Sequence, residues 1–192
     1  MRRNGLVMAL ALAAGSLPMP SAGQDYSENY TFLKAVRDRD GATAQRILAN
    51  PASTAINSRD SGTGEGALHI LVRGRELTWL IFMLGRGARP DLQSNDGTTP
   101  LILAAQLGWL EGAMDLLARA AQPNLGNARG ETPLILATQR RDLPMVRLLL
   151  ARRADPNQTD NVAGYSAMDY ARQDSRAAAI LRELELRAEP PK

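Results

Sequence analysis

Glycines that recur at a nearly fixed interval constrain the fold of this chain more than any other feature. Four segments align on Gly64, Gly97, Gly130 and Gly164, at intervals of 33, 33 and 34 residues: GEGALHILVRG, GTTPLILAAQL, GETPLILATQR and GYSAMDYARQD. A second apolar stretch follows each segment, such as PMVRLLL at 144–150. Self-similarity at this period predicts two-helix units that stack, because one unit cannot bury its apolar face alone.

The first helix of a unit has a recognisable start in the two central segments. Thr99-Pro100 and Thr132-Pro133 stand where these helices begin. A threonine side chain can cap a helix, and proline is tolerated in the first turn. These dipeptides therefore predict helix starts at both places.

The second helix of a unit is rich in leucine. Leu149 belongs to the predicted buried ridge, whereas Arg147 falls on the outer face of the same helix. Trp79 and Phe82 lie on the apolar side of an earlier second helix, and we expect them to be core residues.

The turns after the second helices complete the pattern: GARPD from Gly87, AAQPN from Ala120 and RADPN from Arg153. The period, the TPLIL starts, the leucine-rich helices and these turns together resemble the ankyrin repeat, over roughly residues 26–188. The resemblance implies an all-α ankyrin-repeat solenoid of about five stacked helix–turn–helix repeats, two of them caps.

The boundaries expected from the resemblance divide the chain into a leader, five repeats and a tail. They are 1–23 for a signal peptide, 24–60 for an N-terminal capping repeat, 61–93, 94–126 and 127–160 for full repeats, 161–188 for a C-terminal capping repeat and 189–192 for the tail. The loops that lead into Gly64 and Gly164 carry one extra residue, so their shape should differ from that of the central pair. The family's TPLH histidine survives only as His69, which we expect to brace helices by hydrogen bonding.

Residues 1–23 have the order of a secretory signal peptide: Arg2 and Arg3, an apolar run over 6–14, then helix breakers and small residues up to Gly23. The run is about half the roughly 20 residues that span a bilayer, so a permanent transmembrane helix is the weaker interpretation. We therefore expect a periplasmic or secreted protein after cleavage near Gly23, without stable membrane insertion. The chain is similar in this respect to small exported bacterial ankyrin-repeat proteins.

Composition limits the kinds of partner and of reaction that the chain could support. The formal charge of +3 falls to about +1 without Arg2 and Arg3, which favours a protein partner over a polyanion. There is no cysteine and one histidine, which excludes thiolate chemistry and leaves no zinc ligand set. No catalytic or phosphate-binding motif occurs, so we expect no enzyme activity, cofactor or metal. An accessory domain with unrecognised hydrolytic activity and a nucleic-acid-binding protein are the alternatives.

Candidate binding residues follow from the resemblance. In ankyrin proteins the partner usually contacts the hairpin loops and the exposed face of the first helices, a surface we call the first-helix wall. Seven candidates occupy the repeat positions that carry over to this wall. An eighth, Trp109, lies in an inter-helix turn, and we expect it to be exposed. The predicted binding residues are Arg73, Gln106, Leu107, Trp109, Glu131, Gln139, Arg140 and Tyr165. The sequence thus predicts a monomeric, non-catalytic protein-binding module that serves as an exported adaptor, accessory factor or inhibitor.

Overall fold

The computed structural model describes the backbone of residues 22–188 and the side chains of 28–187. This part of the chain is all-α, as predicted, with short 3₁₀ turns at Ala55–Asn57 and Ser175–Ala177. Its α-helices are α1 Ala22–Asp38, α2 Gly41–Leu48, α3 Ala67–Gly74, α4 Leu77–Gly85, α5 Pro100–Leu107, α6 Leu110–Ala118, α7 Pro133–Gln139, α8 Leu143–Ala151, α9 Ala167–Gln173 and α10 Ala178–Ala188. Of the predicted signal peptide, only residues 22 and 23 fall within this description.

The helices form five consecutive pairs that stack in one direction. In each pair a short turn joins two packed helices: α1 with α2, α3 with α4, and so on to α9 with α10. The first helices α1, α3, α5, α7 and α9 pack in one layer, and α4, α6, α8 and α10 pack in a second. Within the described residues, no helix is both long and apolar enough to cross a membrane.

The predicted helix starts are present. The Thr99 hydroxyl accepts a hydrogen bond from the Ile102 N–H at 3.1 Å, and proline occupies the first turn of α5. Thr132 caps α7 in the same way through the Ile135 N–H at 3.2 Å. Each bond satisfies a backbone donor that the first helical turn leaves without an internal partner.

The recurring glycines shape four hairpin loops, 60–65, 94–98, 127–131 and 160–165. Each glycine has a positive φ, between 69° and 78°, which a residue with a side chain adopts only at a cost. The first and last loops are one residue longer than the central pair, as the sequence predicts.

Neighbouring loops are joined by one backbone hydrogen bond each. The donors and acceptors are Asn95 N to Thr63 O at 2.9 Å, Ala128 N to Asp96 O at 2.9 Å, and Asn161 N to Arg129 O at 2.7 Å. This approach is close: a Cβ on Gly97 would lie 2.7 Å from the Ala128 nitrogen. A Cβ on Gly164, in the last loop, would meet no atom within 4 Å.

The core runs between the two helix layers. Leu149 is fully buried and Arg147 is exposed, which confirms the predicted helix phase of α8. His69 is also fully buried: its Nδ1 accepts from the Gly66 N–H at 3.2 Å, and its Nε2 lies 2.8 Å from the Thr98 carbonyl of the next repeat. The expected bracing role is confirmed, and burial lowers the pKa of His69.

Candidate protein-binding surface

Five of the predicted binding residues lie at the ends of first helices. Arg73 is in the last turn of α3, Gln106 and Leu107 end α5, Gln139 ends α7, and Arg140 is the capping residue that follows it. Because α3, α5 and α7 stack side by side, these residues lie in register along the first-helix wall. The exposed fraction differs among them: Arg73, Gln139 and Arg140 are exposed, and Gln106 and Leu107 are half-buried.

Most arginines of this wall are already paired with carboxylates of the same or the next repeat. The pairs are Arg37–Asp60, Arg39–Glu76, Arg73–Glu65, Arg129–Glu131 and Arg141–Asp174. Exposed pairs of this kind add little stability. Arg73 and Glu131, both predicted to bind a partner, thus each have an internal partner that a bound protein would have to replace or accommodate.

Arg140 differs from these arginines. Neither an ion pair nor a side-chain hydrogen bond joins it to any residue that the structure describes. Its guanidinium lies over the backbone of the preceding repeat, where a Cβ on Gly108 would be 3.0 Å from Nη2. The Asp142 carboxylate borders the same glycine, 3.2 Å from that Cβ position, but it is not ion-paired with Arg140, which is an exposed residue of the wall.

Two tyrosines form a cluster in repeat five, at the start of α9 and within it. The rings of Tyr165 and Tyr170 meet edge to face, with centroids 5.6 Å apart and planes at 83°. The Tyr170 hydroxyl donates to Asp160 Oδ2 at 2.6 Å, which raises the pKa of Tyr170 to about 12. The Gln139 side chain also interacts with Tyr170. Repeats four and five therefore contribute to one polar and aromatic patch.

Asp160 holds this patch in shape from beneath. It is buried, and its Oδ1 accepts hydrogen bonds from the N–H groups of Val162, Ala163 and Gly164 at 2.7–3.1 Å. Burial alone would raise the pKa of Asp160, but the bonds from Tyr170 and from the loop backbone lower it. The carboxylate stays ionised at neutral pH and orders the last loop.

Comparison with known families accords with this geometry. A family model described as ankyrin repeats (3 copies) matches residues 68–160, which includes α4 to α8 and nearly all of α3. The chain is an ankyrin-repeat protein. Ankyrin repeats are in general protein–protein interaction modules and are typically not enzymes. Among the residues described in this ankyrin-repeat protein, no group of three or more His, Asp or Glu side chains is placed to hold a metal ion.

The prediction that Trp109 is exposed is wrong. Trp109 precedes α6, is only 5% exposed, and its indole lies directly over Gly112, where a Cβ would be 2.1 Å from the ring. The glycine one turn later makes room for the ring, so burial of the indole is favoured and Trp109 is not available to a partner. Leu107 also packs partly against the core, which reduces the apolar surface it offers.

The prediction that Trp79 and Phe82 are core residues is also wrong in part. Both are half-buried, and both line an outer cleft between α2 and α4 in this ankyrin-repeat protein. Sequence reasoning missed Tyr170 as well. The signal for it was present, because Tyr170 replaces the apolar residue found six positions after the glycine in other repeats, such as Leu103 and Leu136.

Proposed function

We propose that this ankyrin-repeat protein is an exported, non-catalytic adaptor or inhibitor whose partner docks on the first-helix wall at repeats four and five. One observation carries the proposal. Within the described residues, Arg140 forms no ion pair and no side-chain hydrogen bond, on a wall where neighbouring arginines are ion-paired, and it directly follows Gln139, whose side chain contacts Tyr170 of repeat five.

The chemistry of this patch suits protein recognition. An arginine fork binds a carboxylate or a backbone carbonyl through parallel donors, and tyrosine and arginine are the side chains most often found at binding hot spots. Tyr165 is held against Tyr170, so its ring loses little freedom when a partner covers it. A single open arginine among paired ones favours a protein surface with one matching carboxylate over a polyanion.

The test is capture of the partner from the exported fraction by the purified protein, followed by affinity measurement with that partner. Arg140→Glu should weaken binding by about 2 kcal/mol or more if the residue is central to the contact. Arg182→Glu is the matched control, because Arg182 is an exposed arginine on α10, away from the wall.

Tyr165→Ala tests the aromatic part of the proposed docking surface and should weaken binding of the same partner. Circular dichroism must show unchanged helicity for all three variants. An unchanged affinity for both Arg140→Glu and Tyr165→Ala would refute this location of the binding site.

A further inference from the structure

A cleft opens on the outer surface of the molecule, on the side of the second helices. It has a volume of about 320 Å³ and is lined by Gly41, Ala44 and Gln45 of α2 and by Thr78, Trp79 and Phe82 of α4. The Trp79 ring lies against Gly41, where a Cβ would be 3.4 Å from the ring. The indole stands between the two helices and leaves an apolar space beside it that would accommodate one large side chain.

The charge differs between the two ends of this cleft. Neither α2 nor α4 contains an acidic residue, but their N-caps, Asp40 and Glu76, place carboxylates at the end where these helices begin. Arg86 caps the end of α4 and places its guanidinium over the Phe82 ring, 5.3 Å from the ring centroid. The cleft therefore has an apolar floor and a cation at one end.

Arg86 begins a line of arginines that continues along the same edge. Arg119 and Arg152 cap α6 and α8, at successive intervals of 33 residues. All three side chains are exposed, and none forms an ion pair with a carboxylate in residues 28–187. The helix dipole favours a cation at each of these ends, but it leaves the outward guanidinium donors unoccupied. This edge differs from the first-helix wall, where most arginines are paired.

We infer that the outer cleft and the arginine line bind an acidic, extended segment of another protein. One large apolar side chain of the segment enters the cleft beside Trp79, and carboxylates that follow it meet Arg86, Arg119 and Arg152. Packed helices lie about 8–10 Å apart, and three residues of a polyproline II chain rise about 9 Å and return to the same face. An acidic residue at every third position therefore matches the spacing of the arginines.

The structure favours a protein segment over a membrane or a nucleic acid. The cleft is concave and of the size of a side chain, so a flat bilayer surface does not fill it. Glu111 and Asp115 of α6 line a second outer cleft together with Arg152, so the positive surface is limited to the helix ends. A single line of cations matches one acidic strand better than the two phosphate strands of a duplex. The inference adds a second docking surface to the proposed function.

The test uses the purified full chain and a fluorescein-labelled peptide that starts with phenylalanine and carries glutamate at every third position, with serine elsewhere. Fluorescence anisotropy should show saturable binding that weakens with salt. Replacing phenylalanine by serine, or the glutamates by glutamine, should each weaken binding by at least about fivefold. Equal binding of all three peptides would overturn the inference.

Variants of the protein locate the site. Gln45→Glu, at the rim of the cleft, should weaken peptide binding several-fold, because it places a negative charge beside the acidic peptide. Gln173→Glu, which changes another exposed glutamine at the end of α9, should not weaken it. Arg119→Gln combined with Arg152→Gln should weaken it about fivefold. The same change at Arg73 and Arg140 is the matched control and should have no effect. Equal affinity for the wild type and the Arg119/Arg152 variant would refute the site.

Two further outcomes are decisive. Binding to anionic phosphatidylglycerol vesicles that depends on the arginines and is indifferent to Gln45→Glu would replace the peptide by a lipid surface. Arg140→Glu must leave peptide affinity unchanged. If that variant loses the partner captured from the exported fraction and still binds the peptide, the two surfaces are independent, and failure of one proposal leaves the other standing.

Discussion

Replacing Gly97 and Gly164 by alanine distinguishes two reasons why the repeat glycines matter for stability. One is backbone strain at a positive φ, and the other is steric contact with the neighbouring loop. Both residues have a positive φ, 78° and 69°, so alanine at either position meets the same backbone penalty. That penalty is about 1–2 kcal/mol, offset by roughly 0.4–1 kcal/mol because alanine restricts the unfolded chain. Gly164→Ala should therefore lower the free energy of unfolding by about 1 kcal/mol.

Gly97→Ala should cost more, because its Cβ would lie 2.7 Å from the Ala128 nitrogen. The two loops must move apart, which weakens the hydrogen bond from that nitrogen to the Asp96 carbonyl. Losing a backbone hydrogen bond adds about 0.5–1.5 kcal/mol, so the total is about 1.5–2.5 kcal/mol. Gly130→Ala should resemble Gly97→Ala, because its Cβ would be 2.8 Å from the Asn161 nitrogen.

Urea unfolding followed by far-UV circular dichroism measures the three losses. The expected order is a small loss for Gly164→Ala and two larger, similar losses for the other variants. Equal losses in all three would show that the approach of neighbouring loops contributes nothing and that the glycines are needed only for their backbone conformation.

Three other perturbations test the core, the buried histidine and the leader. Leu149→Ala should lower the free energy of unfolding by about 2–5 kcal/mol, because Leu149 is buried. Arg147→Ala, on the exposed face, should lower it by less than about 1 kcal/mol. Similar losses in thermal unfolding would contradict the helix phase of α8. Burial lowers the pKa of His69 below its unfolded value of 6.5. The contribution of His69 to the free energy of unfolding should therefore be fully present above that pH and be lost as the pH drops below it. His69→Gln should remove this slope between about pH 7 and 5, so a slope that persists in the variant would assign it to carboxylates. Arginine at Leu10 and Leu12 should keep the full-length chain in the cytoplasm, and wild-type protein intact from residue 1 in the cytosol would refute the predicted signal peptide.

The fold was predictable because its signals are local and periodic. The positive φ of Gly97 and Gly130, and the caps formed by Thr99 and Thr132, follow from residue types whose backbone preferences are strong. These signals recur at the same interval, so each repeat supports the assignment of the next.

The binding surface was predictable only in part, because side-chain placement depends on neighbours that the repeat pattern does not specify. The burial of Trp109 depends on Gly112, one turn away in the chain. The half-exposure of Trp79 depends on α2, in the preceding repeat, and on the small residue Gly41 there. Which arginines are paired also depends on the adjacent repeat: Arg141 forms an ion pair with Asp174, and Arg140 forms none in the described part of the chain.

The hydrogen bonds between hairpin loops bear on how such a chain changes length. Each bond joins residues 32 positions apart, so duplicating or deleting one whole unit keeps every donor opposite an acceptor. Inserting one residue in a central loop would shift the register against two neighbours. Among the described residues, the first and last loops are each hydrogen-bonded through the backbone to one neighbouring loop, and these two carry the extra residue. This architecture therefore permits insertion or deletion of whole repeats in the middle of the chain. It permits insertion of single residues in the first and last loops.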